Sequence, residues 1–269
     1  MTLRVAVTGA SGRMGQAVAR AVMADENASL AALVARPGST LVGTPVNALG
    51  GDSDSQTSRL VITDTLSLAG VDVVVDFTLP HATLANASLC ASAGVPMVIG
   101  TTGFSDEQLT ELEAGLSSVA SCRAANFSTG VNLAYRLLAI AAEVMGSESD
   151  IEIHEAHHKH KIDAPSGTAL AMGQAITDAM GRSLNDVARF DRSAVREPRE
   201  TGSIGFSVTR AGDIVGEHTV MFGTEGERLE ITHKASSRNA FAAGALRAAH
   251  FLRGKPAGNY SMADVLGLS

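Results

Sequence analysis

The feature that most constrains the fold is an alternation in the first half of the chain: short Val/Ile/Leu runs, then turns, then Ala- and Leu-rich helical stretches. Leu3 to Val7 reads as a strand, Met14 to Met23 as a helix, and Ser29 to Val34 as a second strand. Val71 to Val75, in VDVVVDFT, is apolar without alternation, as a strand covered on both faces would be. Pro80 to Ala93 reads as a helix and Pro96 to Ile99 as another buried strand, while Ser105 and Gln108 form a capping box opening EQLTELEAGL. Continuous apolar strands separated by helices need crossover connections, which place a parallel sheet between two helical layers. The polar, glycine-rich stretch Pro37 to Arg59 is expected as a loop excursion.

The second half has a different rhythm. Ile151 to Glu155 (IEIHE) alternates like a half-buried strand, and Ser166 to Met180 reads as a helix. Ser203 to Arg210, Ile214 to Phe222 and Arg228 to Lys234 read as three strands. The short connections AGD and GTEGE between them imply antiparallel hairpins. Asn239 to Leu252 returns to an Ala-rich helix, expected to rejoin the first domain. The expected class is therefore α/β: a doubly wound parallel-sheet domain (residues 1–127 plus 238–269) and a smaller α+β domain with a mixed, largely antiparallel sheet (residues 128–237).

Composition narrows the function. At 269 residues and 45% hydrophobic, the chain can bury two cores, packed mainly by Ala, Val and Leu because Trp is absent. A net charge of −7 argues against nucleic acid as the main partner. Cys90 and Cys122 form neither a CxxC pair nor a framework, so free buried thiols in a reducing compartment are expected. No apolar run reaches the length of a membrane span and the start, MTLRVAVTGASG, runs straight into a glycine turn, so a cytoplasmic location is expected.

In VAVTGASGRMGQAVA, Gly9, Gly12 and Gly15 lie between the first strand and first helix. Glycines there allow a sharp turn and close approach of a pyrophosphate to the helix N-terminus, where N–H groups and the dipole favour anions. A Rossmann-type dinucleotide domain follows, although the spacing is GxxGxxG rather than GxGxxG. The second strand ends in Val34-Ala35-Arg36, without the carboxylate that would hold an NAD ribose. Arg36 suits a 2′-phosphate, so NADPH is favoured over NADH; a solvated surface arginine is the alternative.

Residues 157–161 are His-His-Lys-His-Lys, followed by Pro165-Ser166-Gly167-Thr168. The lysines repel a cation, so no metal is expected. His157 and Lys161 share a face whether the segment is extended or helical. The helix start at Ser166, Gly167 and Thr168 adds N–H groups and hydroxyls for a carboxylate. A small polyanion fits better than a solvated basic face.

EAHHKHKIDAPSGTAL closely resembles the corresponding block of the 4-hydroxy-tetrahydrodipicolinate (dihydrodipicolinate) reductase family of lysine and diaminopimelate biosynthesis. VTGASGRMG, VVVDFT, VIGTTG, AANFSTGVN, RAGDIVGEHTVMF and LEITHKASSR resemble its other blocks, in its order, over nearly the whole chain. The resemblance implies NAD(P)H-dependent reduction of a cyclic imine dicarboxylate, with His157 as proton donor and Lys161 as second catalytic group. It implies His158, Lys161, Ser166, Gly167, Thr168 and Thr102 for the substrate. For the cofactor it implies Gly9, Ala10, Ser11, Gly12, Arg13, Met14, Arg36, Phe77, Gly100, Thr101, Thr102, Ala124, Ala125, Asn126 and Phe127. It also implies a homotetramer built through the antiparallel sheet. Ala35 stands where the family is often acidic, and Leu79 where some members carry arginine.

Two domains carrying cofactor and substrate suggest closure, with hinges expected near Ser128-Thr129-Gly130 and Ser236-Ser237. Tyr135 and Tyr260 lack the lysine four residues on that a short-chain dehydrogenase needs. Cys122, expected just before a strand, reads as a core thiol, and His218 and His233 as polar core or surface positions. A dinucleotide-sensing binding protein without turnover is the rival from another class; it would bind cofactor without substrate-dependent oxidation.

Overall fold

The computed structural model describes residues 2–49 and 60–268. Residues 50–59, which belong to the predicted excursion Pro37 to Arg59, lie outside the described residues. The chain divides into two compact units, Met1–Ser128 with Arg238–Ser269, and Thr129–Ser237.

The first unit begins β1 (Leu3–Thr8), α1 (Arg13–Met23), β2 (Ala28–Val34), β3 (Val73–Asp76), α2 (Pro80–Ala93), β4 (Met97–Ile99), α3 (Asp106–Gly115) and β5 (Ala120–Arg123). The second unit supplies α4 (Thr129–Met145), β6 (Asp150–His157), α5 (Gly167–Ala179), α6 (Leu184–Val187), β7 (Ala188–Arg189), β8 (Ile204–Arg210), β9 (Gly216–Thr224) and β10 (Glu227–Ala235). The chain then rejoins the first unit through α7 (Asn239–Leu252), β11 (Gly258–Tyr260) and α8 (Met262–Leu266).

The first sheet is six-stranded, in the order β11-β5-β4-β3-β1-β2, and every pairing is parallel. Leu3, Val5 and Val7 of β1 and Val73 and Val75 of β3 pack in one core with Ala242, Ala245, Ala248 and Leu252 of α7. Ala6, Val74, Met97 and Ile99 face a second core with Ala87, Cys90 and Leu112. Both faces of each central strand are therefore buried, which is why these strands read as unbroken apolar runs. Gly244 lets α7 approach closely: a Cβ there would stand 1.7 Å from the Phe127 carbonyl oxygen.

Local stop and start signals set the helix bounds. Pro80 opens α2, and Gly94, at φ 69°, closes it in the left-handed conformation that favours glycine. The capping box of Ser105 and Gln108 is formed at α3. Cys122 was expected before a strand and instead lies within β5. It and Cys90 are buried, and burial pushes both thiols up to about 12.

The second sheet runs β10-β9-β6-β8-β7. The β9–β10 connection is an antiparallel hairpin, as expected. The β8–β9 connection is not: β6 lies between these strands, parallel to β8 and antiparallel to β9. The AGD turn instead wraps the end of β6, where the Ala211 N–H donates to the His157 carbonyl (2.9 Å) and the Lys159 N–H to the Gly212 carbonyl (3.3 Å). Ile151, Ile153, Ile204, Phe206, Val220 and Phe222 turn one face of this sheet toward Leu138 of α4 and Met172 and Ile176 of α5. Thr129 and Gly130, expected as hinge residues, form the first turn of α4. No helix among the described residues is long and apolar enough to cross a membrane.

Candidate active site

In the first unit, the chain leaves β1 for β2 on one side and returns to β3 on the other. The carboxyl ends of β1 and β3 therefore flank a topological switch point, where open α/β sheets bind ligands. A cleft of about 690 Å³ lies there, lined by Gly9, Ser11 and Gly12 after β1, Ala35 and Arg36 after β2, and Phe77 to Leu79 after β3. The glycines have separable causes. Gly9 adopts φ +86° and a Cβ on it would meet the Phe77 carbonyl oxygen at 2.2 Å; a Cβ on Gly15 would meet the Gly9 oxygen at 2.2 Å. Packing alone thus requires these two. Gly12 is exposed at the N-cap of α1, with no side-chain cap and no acidic residue in the first turn. That leaves an uncapped, positively polarised helix end beside a cleft, which fits a dinucleotide pyrophosphate.

The structure places Ala10 in the core, its N–H donating to the Val34 carbonyl (2.9 Å), and Arg13 and Met14 in the first turn of α1. Gly100 is required by the Phe77 ring, since a Cβ would fall 2.0 Å from it. Thr101, Thr102, Ala124 and Ala125 line a smaller cavity of about 220 Å³. The Thr101 hydroxyl turns inward to Asp76 (2.9 Å). Asn126 accepts from the Ser128 N–H (2.9 Å), and Phe127 is buried with its ring 5.8 Å from that of Phe77. The large cleft also holds Asp64, from the loop after β2, and His81 and Asn86, both from α2; the sequence reading missed them because neither segment carries a motif that marks them.

In the second unit the site grows out of strand alternation. Ile151 and Ile153 put alternate residues of β6 against the helices, and the same phase brings Glu155 and His157 to that face. On β9 the same holds for Phe222, Val220, His218 and Gly216. The apolar face therefore turns polar at one end, where α5 begins. Glu155 is 1% exposed and accepts four hydrogen bonds. His157 Nδ1 (2.6 Å) and Arg210 Nη1 (2.7 Å) reach Oε2; the Ser166 N–H (2.8 Å) and Arg210 Nη2 (2.7 Å) reach Oε1. Burial alone would raise the Glu155 carboxyl, but Arg210, His157 and Ser166 override it and hold it near 2.

Burial lowers the affinity of His157 for its proton and outweighs the pull of Glu155, with Lys161 and Arg210 lowering it further. His218 packs edge-on against His157, ring centres 5.1 Å apart, with Nε2 3.1 Å from Ser166 Oγ. Burial, then His157, pushes His218 down to about 4. Ser166 is the N-cap of α5, accepting from the Ala169 N–H, so Gly167 and Thr168 form the helix start as expected. Thr168 bonds to Tyr135, whose hydroxyl is pushed up to about 12 by burial.

The segment after His157 is neither extended nor helical. It turns at Lys159 and His160, with the Lys161 N–H donating to the His158 carbonyl (3.1 Å). Lys161 Nζ pairs with Asp163 (2.9 Å), and the His158 and His160 rings lie 6.2 Å apart. Among the described residues no group of three or more His, Cys, Asp or Glu side chains could hold a metal. The sequence reading missed Glu155, Arg210 and His218. The available signal was phase: in IEIHEAH, Glu155 and His157 continue the core-facing period of Ile151 and Ile153.

Residues 3–127 match "Dihydrodipicolinate reductase, N-terminus" and residues 130–266 match "Dihydrodipicolinate reductase, C-terminus". The chain is 53% identical over 270 residues to the 4-hydroxy-tetrahydrodipicolinate reductase of Saccharophagus degradans, covering 100% of both chains. It is 52% identical to that of Methylococcus capsulatus, covering 100% of this chain and 99% of the relative. Among solved structures it is similar to a dipicolinate-bound dihydrodipicolinate reductase from Paenisporosarcina sp. TG-14: TM-score 0.75, 26% identity, 98% of this chain and 99% of that one. An amine dehydrogenase from Mycobacterium smegmatis, at 13% identity and TM-score 0.60 over 98% and 95% of the two chains, shares the fold.

Proposed function

Because the chain belongs to the dihydrodipicolinate reductase family and is thus an NAD(P)H-dependent oxidoreductase of lysine and diaminopimelate biosynthesis, we propose that it reduces 4-hydroxy-tetrahydrodipicolinate with His157 as proton donor. The observation that carries this reading is the cluster of His157, Lys161 and Arg210 around the start of α5. Cations and helix N–H groups are the complement of a small dicarboxylate. The solved relative with dipicolinate bound supports a ligand of that class.

A reduced nicotinamide, when bound, would supply the hydride. Lys161 and the Gly167 and Thr168 amides hold the substrate carboxylates, with His158 and Ser166 beside them; Thr102 completes the proposed substrate-binding set. Lys161 exchanges Asp163 for a substrate carboxylate, which is a swap of like partners. After loss of water, hydride addition leaves a carbanion-like carbon next to the imine system. His157, protonated on uptake of the doubly negative substrate, gives that carbon its proton from Nε2 and returns to the neutral ring. Hydride plus proton make up the two-electron reduction.

For the cofactor, Gly9 to Met14, Arg36, Phe77, Gly100 to Thr102 and Ala124 to Phe127 form the binding set, with NADPH preferred through Arg36. The assembly is a homotetramer in the cytoplasm. The test is a spectrophotometric assay of substrate-dependent NADPH oxidation. His157→Gln is expected to lower kcat by about 10²–10⁴-fold with little change in substrate KM. Near-normal turnover would remove His157 as the donor. Arg36→Ala is expected to raise the KM for NADPH about tenfold and leave that for NADH unchanged, the loss of about one charged hydrogen bond. Equal effects on the two cofactors would end the 2′-phosphate role.

A further inference from the structure

We propose that Glu155 is a positioning residue for the proton transfer: its carboxylate fixes His157 as the Nδ1–H tautomer and leaves Nε2 as the ring nitrogen that meets the substrate. This rests on the reading of His157 as donor. The assignment follows from donor arithmetic. A carboxylate has about four acceptor sites, and those of Glu155 are filled by His157 Nδ1, the Ser166 N–H and two guanidinium nitrogens of Arg210, at 2.6 to 2.8 Å. A guanidinium and an amide N–H can only donate, so the carboxyl facing them can only accept. The hydrogen in the short contact with His157 therefore sits on Nδ1.

Nε2 is then the nitrogen that loses and regains a proton. Its surroundings suit that task. A Cβ on Gly216 would stand 3.1 Å from Nε2, so the glycine keeps that edge of the ring unobstructed. The groups facing the ring are Glu155 on its own strand, Arg210 on β8, His218 on β9 and Lys161 in the following loop. Of these, Arg210 and Lys161 disfavour the imidazolium and Glu155 alone favours it. His218 takes its own hydrogen bond from or to Ser166, so it does not compete for Nε2. Glu155 also holds the Ser166 N–H, which ties the orientation of the imidazole to the start of the helix that receives the carboxylate. In the transfer step the Nε2–H bond breaks, the carbanion carbon gains the C–H bond, and the ring is left neutral with hydrogen on Nδ1.

The direct test is ¹⁵N NMR of the full chain with labelled histidine at about pH 8, above the reference histidine value of about 6.5, with the His157 signals identified by their loss in His157→Gln. The expected pattern is a pyrrole-type Nδ1 and a pyridine-type Nε2. The opposite pattern would overturn the proposal without any variant of Glu155 having to fold. Kinetics supply the second arm. Glu155→Gln presents an amide hydrogen to Nδ1, so the tautomer reverses. The expected loss in kcat is about 10²-fold, with the cofactor KM unchanged. The alkaline limb of the kcat profile should move to lower pH by about one unit, because the imidazolium has lost its carboxylate. If His157→Gln is inactive while Glu155→Gln keeps the wild-type kcat and limb, the positioning role fails and the donor reading stands. If both variants turn over normally, the donor reading falls and the proposal with it.

Discussion

Among the described residues, each unit buries one carboxylate at the carboxyl end of a central strand, and the two are solvated in opposite ways. Asp76, at the end of β3, is 0% exposed and meets neutral donors. Thr8, Thr78, Thr83 and Thr101 bring hydroxyls and Asn86 an amide, all 2.7 to 2.9 Å from its oxygens. Glu155, at the end of β6, is 1% exposed and meets a guanidinium, an imidazole and a helix N–H. Asp76 thus joins β1, β3, α2 and the turn after β4 into a floor held by hydroxyls and an amide. Glu155 places its charge directly against an imidazole and a guanidinium. The first arrangement suits holding a ligand, the second moving a proton.

The sharpest way to break this contrast is to remove the acceptor of the floor. Asp76→Ala strands several buried donors at once, and the expected cost in urea unfolding is about 4 kcal/mol or more. A loss below about 1 kcal/mol would mean the donors find other partners and the floor is not built on Asp76.

Acid should distinguish the second unit next. His218 is held near 4 by burial, so below the reference value of 6.5 the unfolded chain takes up a proton that the folded chain refuses. Stability is therefore lost as pH falls from about 6.5 to 4, by about 3 kcal/mol for this group. Glu155 is held near 2 against a reference of 4.5, so its contribution, also about 3 kcal/mol, is present above about 4.5 and lost as pH falls toward 2. His218→Asn should make the slope in the upper window shallower, with His157 and His233, whose protonation burial also disfavours, supplying the remainder, and leave the lower window. An unchanged slope between pH 6.5 and 4 would show that His218 is not the group responsible.

The smallest expected effect concerns redundancy in the Asp76 cage. Thr83→Val removes one hydroxyl of nearly the same volume while the other donors remain, so about 1 kcal/mol is expected by thermal unfolding. A cost as large as that of Asp76→Ala would show that the cage acts as one unit rather than as separable bonds.

Much of the first unit was legible because its signals are local. Pro80 and Gly94 bound α2, Ser105 and Gln108 cap α3, and unbroken apolar runs at 73–75 and 97–99 announce strands covered on both faces. The glycine turn was legible too, although two of its three glycines prove to be demanded by contacts with Phe77 and Gly9. In the second unit the strands were found but not their order. A short turn such as AGD predicts a hairpin only if nothing lies between its strands, and here β6 does. The site's basic residues were visible as a run, whereas Arg210 lies 55 residues from Glu155 and pairs with it through the sheet.

The sequence by itself determined the two rhythms of the chain, the positions of its turns and caps, and the family blocks that identify its chemistry, since each depends on neighbours a few residues apart. Only the tertiary structure decided which carboxylate faces which cation, which histidine nitrogen faces that carboxylate, and which glycines answer to packing. Those facts depend on strand order and register, and burial turns a contact between distant residues into a fixed charge.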